Sequence, residues 1–439
     1  MAGAAVPLSN RPGSSPSDEP GPRDAEHHVR HGHLWHGPGM VRRALHGARR
    51  APLATTVAFG ILLVVVGPLL WHRVFAAHSL RLVDLAVYRD AGRSVLMGRP
   101  LYSYLTPVPQ LLPFTYPPFS SVVAVPLAML PFGTASIVWT LGTLAVLGWL
   151  VVVSFRPLVR RFGPGSRPVV VAVLVSAMAW TLPIRDEFRY GQVGIFLAAL
   201  CVLDCVLPKT RWPRGMLIGL AIAIKLTPAV FVPYLWLTGR RRAAVVATLW
   251  FVGATLAMAI AMPQASRVFW TSAVFDSKRV GDNAGTPNQS LRSIFLRSMP
   301  GTGGTLLWLA SAAVVAVVGF HFARKASIEG DEIRGLAIAG LLAVLLSPVA
   351  WIHHLAGFIP LVIGGVLGDG RDRRRVVYAV VITIFFTLEL PWWGATLINY
   401  LHHWRFVGRI LQDSFVLGSV GAVWLMGRLS PRTATSLSG

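Results

Sequence analysis

Six polar clusters, each set between apolar runs, hold the side chains in this chain that could do chemistry. They are Val83-Asp-Leu-Ala-Val-Tyr-Arg-Asp90, Thr115-Tyr-Pro-Pro118, Arg185-Asp-Glu-Phe-Arg-Tyr-Gly-Gln192, Lys225-Leu-Thr-Pro228, Asn288-Gln-Ser-Leu-Arg292 and Trp351-Ile-His-His354. Ionisable groups among apolar neighbours are costly to keep and mark functional sites. The candidate carboxylates are Asp84, Asp90, Asp186, Glu187, Asp276 and Asp282, and the candidate cations Arg185, Arg189, Lys225 and Arg292. A carboxylate beside cations suits transfer from a phosphorylated donor. The carboxylate takes a proton from the attacking hydroxyl and the cations hold the departing phosphate. Asp84 follows the first apolar run closely and is the preferred base; Asp90, beside Arg89 and Arg93, reads as an ion-paired residue on a helix surface. His353 and His354 point different ways on a helix, so one reaches a cavity while the other packs or bonds a carbonyl. As metal ligands they lack a third partner at short spacing, and no metal is expected.

The elements that must position these clusters are membrane helices. The chain has 439 residues, of which 54% are hydrophobic and 13% charged, against about 25% charged in soluble proteins. Its apolar runs approach the roughly 20 residues a span needs. Full spans are expected near 52–71, 134–155, 168–184, 193–207, 244–262, 304–322, 334–350, 355–368, 376–392 and 408–427. The stretch 215–238, flanked by Arg214 and Arg240, is too short for two crossings. It reads as a hairpin of half-helices with Lys225 at its apex, broken by Pro228. The expected fold is therefore all-α and polytopic, with about 10 full spans plus short re-entrant or half-helices, 10–12 transmembrane helices in all.

The formal charge of +23 does not point to nucleic acid, because the arginines sit in short loops between apolar runs. That pattern places those loops in the cytoplasm and favours contact with anionic lipid headgroups. Both termini then lie in the cytoplasm of a multi-pass plasma-membrane protein, and the six clusters gather on the opposite, periplasmic or extracellular face. Residues 1–50 read as a disordered cytoplasmic tail, whose His27, His28, His31, His33 and His36 could bind metal. The tail lacks a signal-peptide apolar region, so the first span should stay as an anchor. Residues 51–428 form the catalytic body, with loops 72–117 and 263–303 covering the site, and 429–439 form a second tail. Cys201 and Cys205, one helical turn apart, read as buried thiols that cannot build a disulfide framework.

The clusters also carry a resemblance. Asp84-Leu-Ala-Val-Tyr88 with Gly98-Arg-Pro-Leu-Tyr102, Thr115-Tyr-Pro-Pro-Phe119, Gly191-Gln192, Ile224-Lys-Leu-Thr-Pro228, Asn288-Gln-Ser-Leu291 and Ser347-Pro-Val-Ala-Trp-Ile-His-His354 span roughly residues 80–360. Together they resemble glycosyltransferase family 87 of the GT-C superfamily. Within that family the likeness runs to the polyprenol-phosphate-mannose-dependent α-1,2-mannosyltransferases of phosphatidylinositol mannoside synthesis. The resemblance implies a GT-C fold, a polyprenol-phosphate-mannose donor, a phosphatidylinositol mannoside acceptor, and inversion without a covalent intermediate. It implies that Asp84 is the catalytic base. Lys225, Arg185, Arg189, His353 and His354 then serve the donor phosphate, and Tyr88, Tyr116, Gln192, Asn288, Gln289, Arg292 and Trp351 line the sugar and acceptor sites. No cofactor is expected.

A lipid donor fits an outward site, since each buried methylene of a prenyl tail gains about 0.8 kcal/mol. The chain shows no Gly-rich nucleotide cradle and no Asp-x-Asp pair. An arabinosyl or other pentosyl lipid donor would serve the same fold. The rival class is a transporter or flippase of lipid-linked sugars. It would need a polar path to the inner face, where Asp204 is the main polar exception, and no obligatory base. No internal repeat of the common transporter kind is present.

Overall fold

A computed structural model describes residues 52–75, 82–108 and 110–430, which lie in one compact unit. The five N-terminal histidines singled out above, and the tail beyond residue 430, lie outside the described residues. The described chain is helical, with two isolated β-bridges, Leu105 with Pro113 and Asn288 with Trp351. The main helices are α1 (Pro52–Val65), α2 (Val83–Leu96), α3 (Phe132–Ser154), α4 (Arg167–Ala179), α5 (Leu182–Tyr190), α6 (Gly194–Val206), α7 (Met216–Ile224), α8 (Phe231–Leu237) and α9 (Arg241–Ala261). After a loop come α10 (Leu291–Ser298), α11 (Thr302–Ile328), α12 (Glu332–Leu345), α13 (Ile359–Leu367), α14 (Arg373–Thr387), α15 (Leu390–Tyr400), α16 (Arg405–Gln412) and α17 (Ser414–Arg428). Helix is the form expected of such apolar runs, because it satisfies every interior backbone N–H and C=O where no water is present.

The described helices do not by themselves bear out the expected ten or so full spans. Among the described residues, α3, α9 and α11 are each long and apolar enough to cross a membrane. Counting each of three bent pairs as one span gives up to six: α4 with α5 at 79°, α14 with α15 at 48°, and His402–Gln412 with α17 at 43°. The apolar runs are interrupted where prolines begin new helices, as at Pro183 in α5 and Pro391 in α15. Helix α12 has 14 residues, about 21 Å at 1.5 Å per residue, short of a bilayer core of about 30 Å.

The expected hairpin around Lys225 is present. Helix α7 runs parallel to α9, with Gly215 against Ala243 and Ala247, and Gly219 against Ala247 and Trp250. Glycine is required there because a Cβ at Gly219 would overlap the Ala247 carbonyl. Helix α8 turns directly into α9 through Gly239 and packs back along it, so α7 and α8 are antiparallel. Lys225, with φ −150° and ψ 134°, ends α7 at the apex.

The arginine loops join one another at the opposite end of this hairpin. Arg240 pairs with Glu332 at 2.7 Å, Arg161 donates to the Asp369 carbonyl at 2.8 Å, and Arg334 donates to the Leu429 carbonyl at 2.7 Å. The bundle therefore has an arginine end and a Lys225 end. At the Lys225 end, residues 390–412 form a helical hairpin of α15 and α16 in place of the expected span ends and loop. Gly394 and Gly408 let these two helices touch backbone to backbone. The hairpin is tied down by Gln289 donating to the Gln412 carbonyl at 2.9 Å, Gln412 donating to Thr286 Oγ1 at 2.7 Å, and the buried Arg297–Asp413 ion pair.

Candidate active site

Asp84 sits in the first turn of α2, and three features hold that helix in place. Its N-cap, Leu82, adopts the left-handed region at φ 47°, a strained choice for a branched side chain, and donates its N–H to the Arg189 carbonyl at 3.2 Å. The buried Arg89 donates Nε to the Leu127 carbonyl at 3.0 Å, also reaches the Leu130 carbonyl, and lies 5.2 Å from the Phe132 ring centre. Gly92 packs directly on Ala124 and Ala128. The other half of the site is brought in by Gly191, the left-handed cap of α5 at φ 70°. A Cβ there would lie 3.0 Å from that of Leu85 and 3.2 Å from that of Leu82. Both conformation and space therefore require glycine, and the close approach sets Gln192 beside Asp84.

Beside Asp84 a hydrogen-bonded network joins five segments: α2, the loop of Tyr102 and Tyr116, the Gln192 turn, the Lys225 apex and the His354 turn. The Gln192 side chain lies beside the Asp84 carboxylate and favours its charged form. Its Oε1 accepts from Tyr88 Oη at 2.9 Å and Tyr116 Oη at 3.3 Å, and the two phenol oxygens are 3.1 Å apart. Tyr102 Oη fastens the Tyr116 carbonyl at 2.7 Å. Lys225 Nζ donates to Tyr116 Oη at 3.5 Å, lies 5.1 Å from that ring's centre, and sits 3.0 Å from His354 Nε2. An ammonium can only donate, so His354 accepts at Nε2 and carries its proton on Nδ1. His353 stacks edge-on between Tyr190 (5.5 Å) and His354 (4.9 Å).

Burial pushes the Asp84 carboxyl up to about 6, with the Gln192 hydrogen bond and the Lys225 charge pulling it partly back. Burial, followed by the neighbouring Tyr116 and Asp84, raises the Tyr88 phenol. Burial and then the Lys225 charge push both imidazoles, His353 and His354, well below their usual range, so both are neutral. His354 Nδ1 and His353 Nε2 are buried and unpaired in the protein, and atoms of this kind are satisfied by a ligand or an ordered water. Beyond Lys225 and His354 a small cleft opens between α6, α12 and the Lys225 turn, with Leu197, Ala198, Val344 and Phe358 as apolar walls.

Sequence reasoning thus finds Asp84, Tyr88, Tyr116, Gln192, Lys225, His353 and His354 in one place. The remaining candidates are committed elsewhere. Arg185 pairs with Glu389 at 2.6 Å, a partner 204 positions away. Arg189 is exposed, with its guanidinium over Tyr190 at 5.4 Å. Neither is joined to Lys225 as a phosphate clamp. Asn288 does not offer its amide to a sugar: it donates to the Asn283 carbonyl at 2.8 Å and accepts from Ala350 N at 3.0 Å and Ser290 N at 3.2 Å. Gln289 donates to the Thr286 and Gln412 carbonyls and accepts from Val416 N. The Asn288 amide staples the segment leading into Trp351 through Ala350, and the Gln289 amide ties its own loop to Gln412 and Val416. Trp351 itself lies against Gly281, and Arg292 reaches Ser277 Oγ at 3.4 Å and the Trp308 ring at 5.4 Å.

Glu187 was one of several candidate carboxylates, and the structure gives it a definite place. It is fully buried, and its Oε1 accepts from Ile195 N at 2.8 Å, capping α6 and fixing the turn that carries Gln192.

The model of glycosyltransferase family 87 matches residues 114–348. A polyprenol-phosphate-mannose-dependent alpha-(1-2)-phosphatidylinositol mannoside mannosyltransferase of Mycobacterium tuberculosis is 32% identical over 75% of this chain and 79% of its own length. The chain belongs to glycosyltransferase family 87. A second Mycobacterium tuberculosis relative of this transferase, a polyprenol-phosphate-mannose-dependent alpha-(1-2)-phosphatidylinositol pentamannoside mannosyltransferase, is 33% identical over 76% of the chain and 77% of its own length. A phosphatidylinositol mannoside mannosyltransferase of Mycolicibacterium smegmatis is 31% identical over 80% and 84%. No solved structure matches at a significant level. The family match of the transferase includes Tyr116, Gln192 and Lys225 and stops on either side short of Asp84 and His353, which the fold brings to it.

Proposed function

We propose that this family 87 enzyme transfers mannose from a polyprenol-phosphate-mannose donor to a hydroxyl of a phosphatidylinositol mannoside, forming an α-1,2 linkage with inversion, on the membrane face opposite the arginine loops. The observation that carries this reading is the network from Asp84 through Gln192 and Tyr116 to Lys225 and His354, set at the end of the bundle away from the joined arginines. A base and a cation held beside one hydrogen-bonded network are the two groups such a displacement needs.

In this reading the acceptor's 2-hydroxyl lies at Asp84, which takes its proton as the oxygen attacks the anomeric carbon. The bond from that carbon to the phosphate oxygen breaks, and polyprenyl phosphate departs toward Lys225 and His354. The leaving group needs no proton, because phosphate is a stable anion. Lys225 supplies positive charge where negative charge develops, and the neutral His354 can donate through Nδ1. The space beyond Lys225 has apolar walls of Leu197, Ala198, Val344 and Phe358, the lining a prenyl chain would favour. The transporter alternative loses its main inner-face polar candidate: Asp204 accepts from Ile218 N at 3.1 Å and Trp212 Nε1 at 3.3 Å, capping α7. It marks no polar path through the bundle.

The test is transfer of labelled mannose by purified enzyme from polyprenol phosphate mannose to phosphatidylinositol mannoside, followed across pH. A base must be ionised, and Asp84 is raised to about 6. Rate should therefore rise about tenfold per unit below that value and level off above it. A rate that falls as pH rises through 6, or no transfer at any pH, contradicts the reading.

A further inference from the structure

In the α15–α16 hairpin the polar side chains turn inward and the apolar ones outward. In α16, Gly408 and Gln412 are buried, and Arg409 donates to Gln412 Oε1 at 2.6 Å. The other side of the helix leaves Phe406 79%, Ile410 47% and Val407 38% exposed. The turn leading into it exposes Tyr400 and Trp404, and α15 exposes Trp393. An apolar patch of this extent marks a surface that something covers.

Length and charge say what covers it. Helices α14 and α17 have 15 residues each, about 22 Å, so from the arginine end both stop short of a bilayer core of about 30 Å. There the chain bends by 48° into α15 and by 43° between α16 and α17. The 11 residues of α15 measure about 16 Å and, tilted by that bend from an upright α14, climb about 11 Å more. The tip with Tyr400 and Trp404 therefore arrives level with the far edge of the core, where tyrosine and tryptophan are favoured. The two acids of residues 389–413 are already paired, Glu389 with Arg185 and Asp413 with Arg297. Arg405 is exposed beside Phe406 with no acidic partner among the described residues, and His402 and His403 are exposed next to it. An apolar helix face edged by arginine is the pattern of a helix lying in the membrane interface, with the cation reaching the lipid phosphates.

We propose that the α15–α16 hairpin is an interfacial platform that docks on anionic phospholipid in the leaflet at the Lys225 end, with Phe406, Val407 and Ile410 on the acyl chains and Arg405 on the phosphates. The platform is fastened to the active-site shell at both of its ends. Glu389 holds Arg185 of α5, the helix that leads to Gln192, and Gln412 holds Thr286 and Gln289 of the loop that bridges Trp351. Docking of the hairpin thus fixes the depth at which the site stands relative to the headgroups of its lipid substrates.

The experiment places a fluorophore on full-length Phe406→Cys, whose native Cys201 and Cys205 are buried, in vesicles of phosphatidylcholine and phosphatidylglycerol. Bromines at the headgroup end of the acyl chains should quench it more than bromines at the chain terminus, and aqueous iodide only weakly, as for a helix sunk about 5–10 Å into the headgroup boundary. With the bromines carried on phosphatidylglycerol rather than on an equal fraction of phosphatidylcholine, quenching should be about twofold stronger, because one arginine near an anionic surface enriches it severalfold. Arg405→Gln should remove that excess. Strong quenching by iodide with none by the lipids would put the hairpin in water, and quenching strongest from the chain terminus would make it the ends of two spans; either result overturns the proposal. Equal quenching by the two lipids, or an excess that survives Arg405→Gln, overturns the anionic partner. Both substituted side chains point away from the protein, so packing is undisturbed. No sugar transfer is read, so a failure of the transferase reading would leave this outcome unmoved.

Discussion

Asp84→Asn is expected to lower kcat about a thousandfold, in the range a positioned general base supplies. The amide keeps the shape of the carboxylate and can still bond Gln192, so the network of Tyr88, Tyr116 and Gln192 should stay assembled. Binding of the lipid donor should change little, because Lys225 and His354 are untouched. The measurement is single-turnover transfer together with donor affinity. A variant that keeps more than a tenth of the wild-type rate removes Asp84 from the role of base. Asp90 offers a control on the same helix. It lies on another face, paired with Arg93 at 3.6 Å, and Asp90→Asn should not approach a loss of this size.

Lys225→Ala is expected to cost between about a hundredfold and a thousandfold in kcat/KM for the donor, the scale of removing one preorganised charge partner from a developing anion. It should also move the pH profile. Lys225 pulls the Asp84 carboxyl down against the larger effect of burial, so its removal raises the Asp84 value further. The acid limb of the rate should shift to higher pH, because more of the base is protonated at any given pH. Lys225→Arg should restore part of the rate, as the extended φ and ψ at the apex of the α7–α8 hairpin suit either side chain. A loss confined to acceptor KM, with donor kinetics and the acid limb unmoved, would place Lys225 on the acceptor side instead.

What could be read from the sequence follows a physical division. The Lys225 hairpin was legible because basic residues on both sides and a proline in the middle leave an apolar stretch no other geometry. The meeting of Asp84, Gln192, Lys225 and His354 was legible as far as the arginines order the loops. The number of spans was not legible, because composition does not show where an apolar run bends. The α15–α16 hairpin reads as the ends of two spans, and only the Gly394–Gly408 contact and the ties of Gln412 and Asp413 reveal otherwise. Side-chain commitments were hidden as well. Glu389 neutralises Arg185 from 204 positions away, and nothing in either neighbourhood announces it. Asn288 and Gln289 look like sugar ligands in a string of letters, since an amide that bonds a hydroxyl and one that bonds a backbone are the same residue. Here every one of their donors and acceptors is directed at the chain's own backbone. What separated Asp84 from Asp90 in the sequence was its nearness to the first apolar run and the arginines beside Asp90, and the Asp90–Arg93 pair at 3.6 Å agrees.

The account stands on the site and the arginine loops lying on opposite sides of the membrane. Arg189 is exposed beside the site and Arg371 is exposed in the α13–α14 turn, while the native Cys201 and Cys205 are buried. Intact cells carrying Arg189→Cys or Arg371→Cys can be treated with a membrane-impermeant maleimide before and after permeabilisation. Position 189 should label in intact cells and position 371 only once the membrane is opened. Labelling of both in intact cells, or of 371 alone, would contradict the central claim.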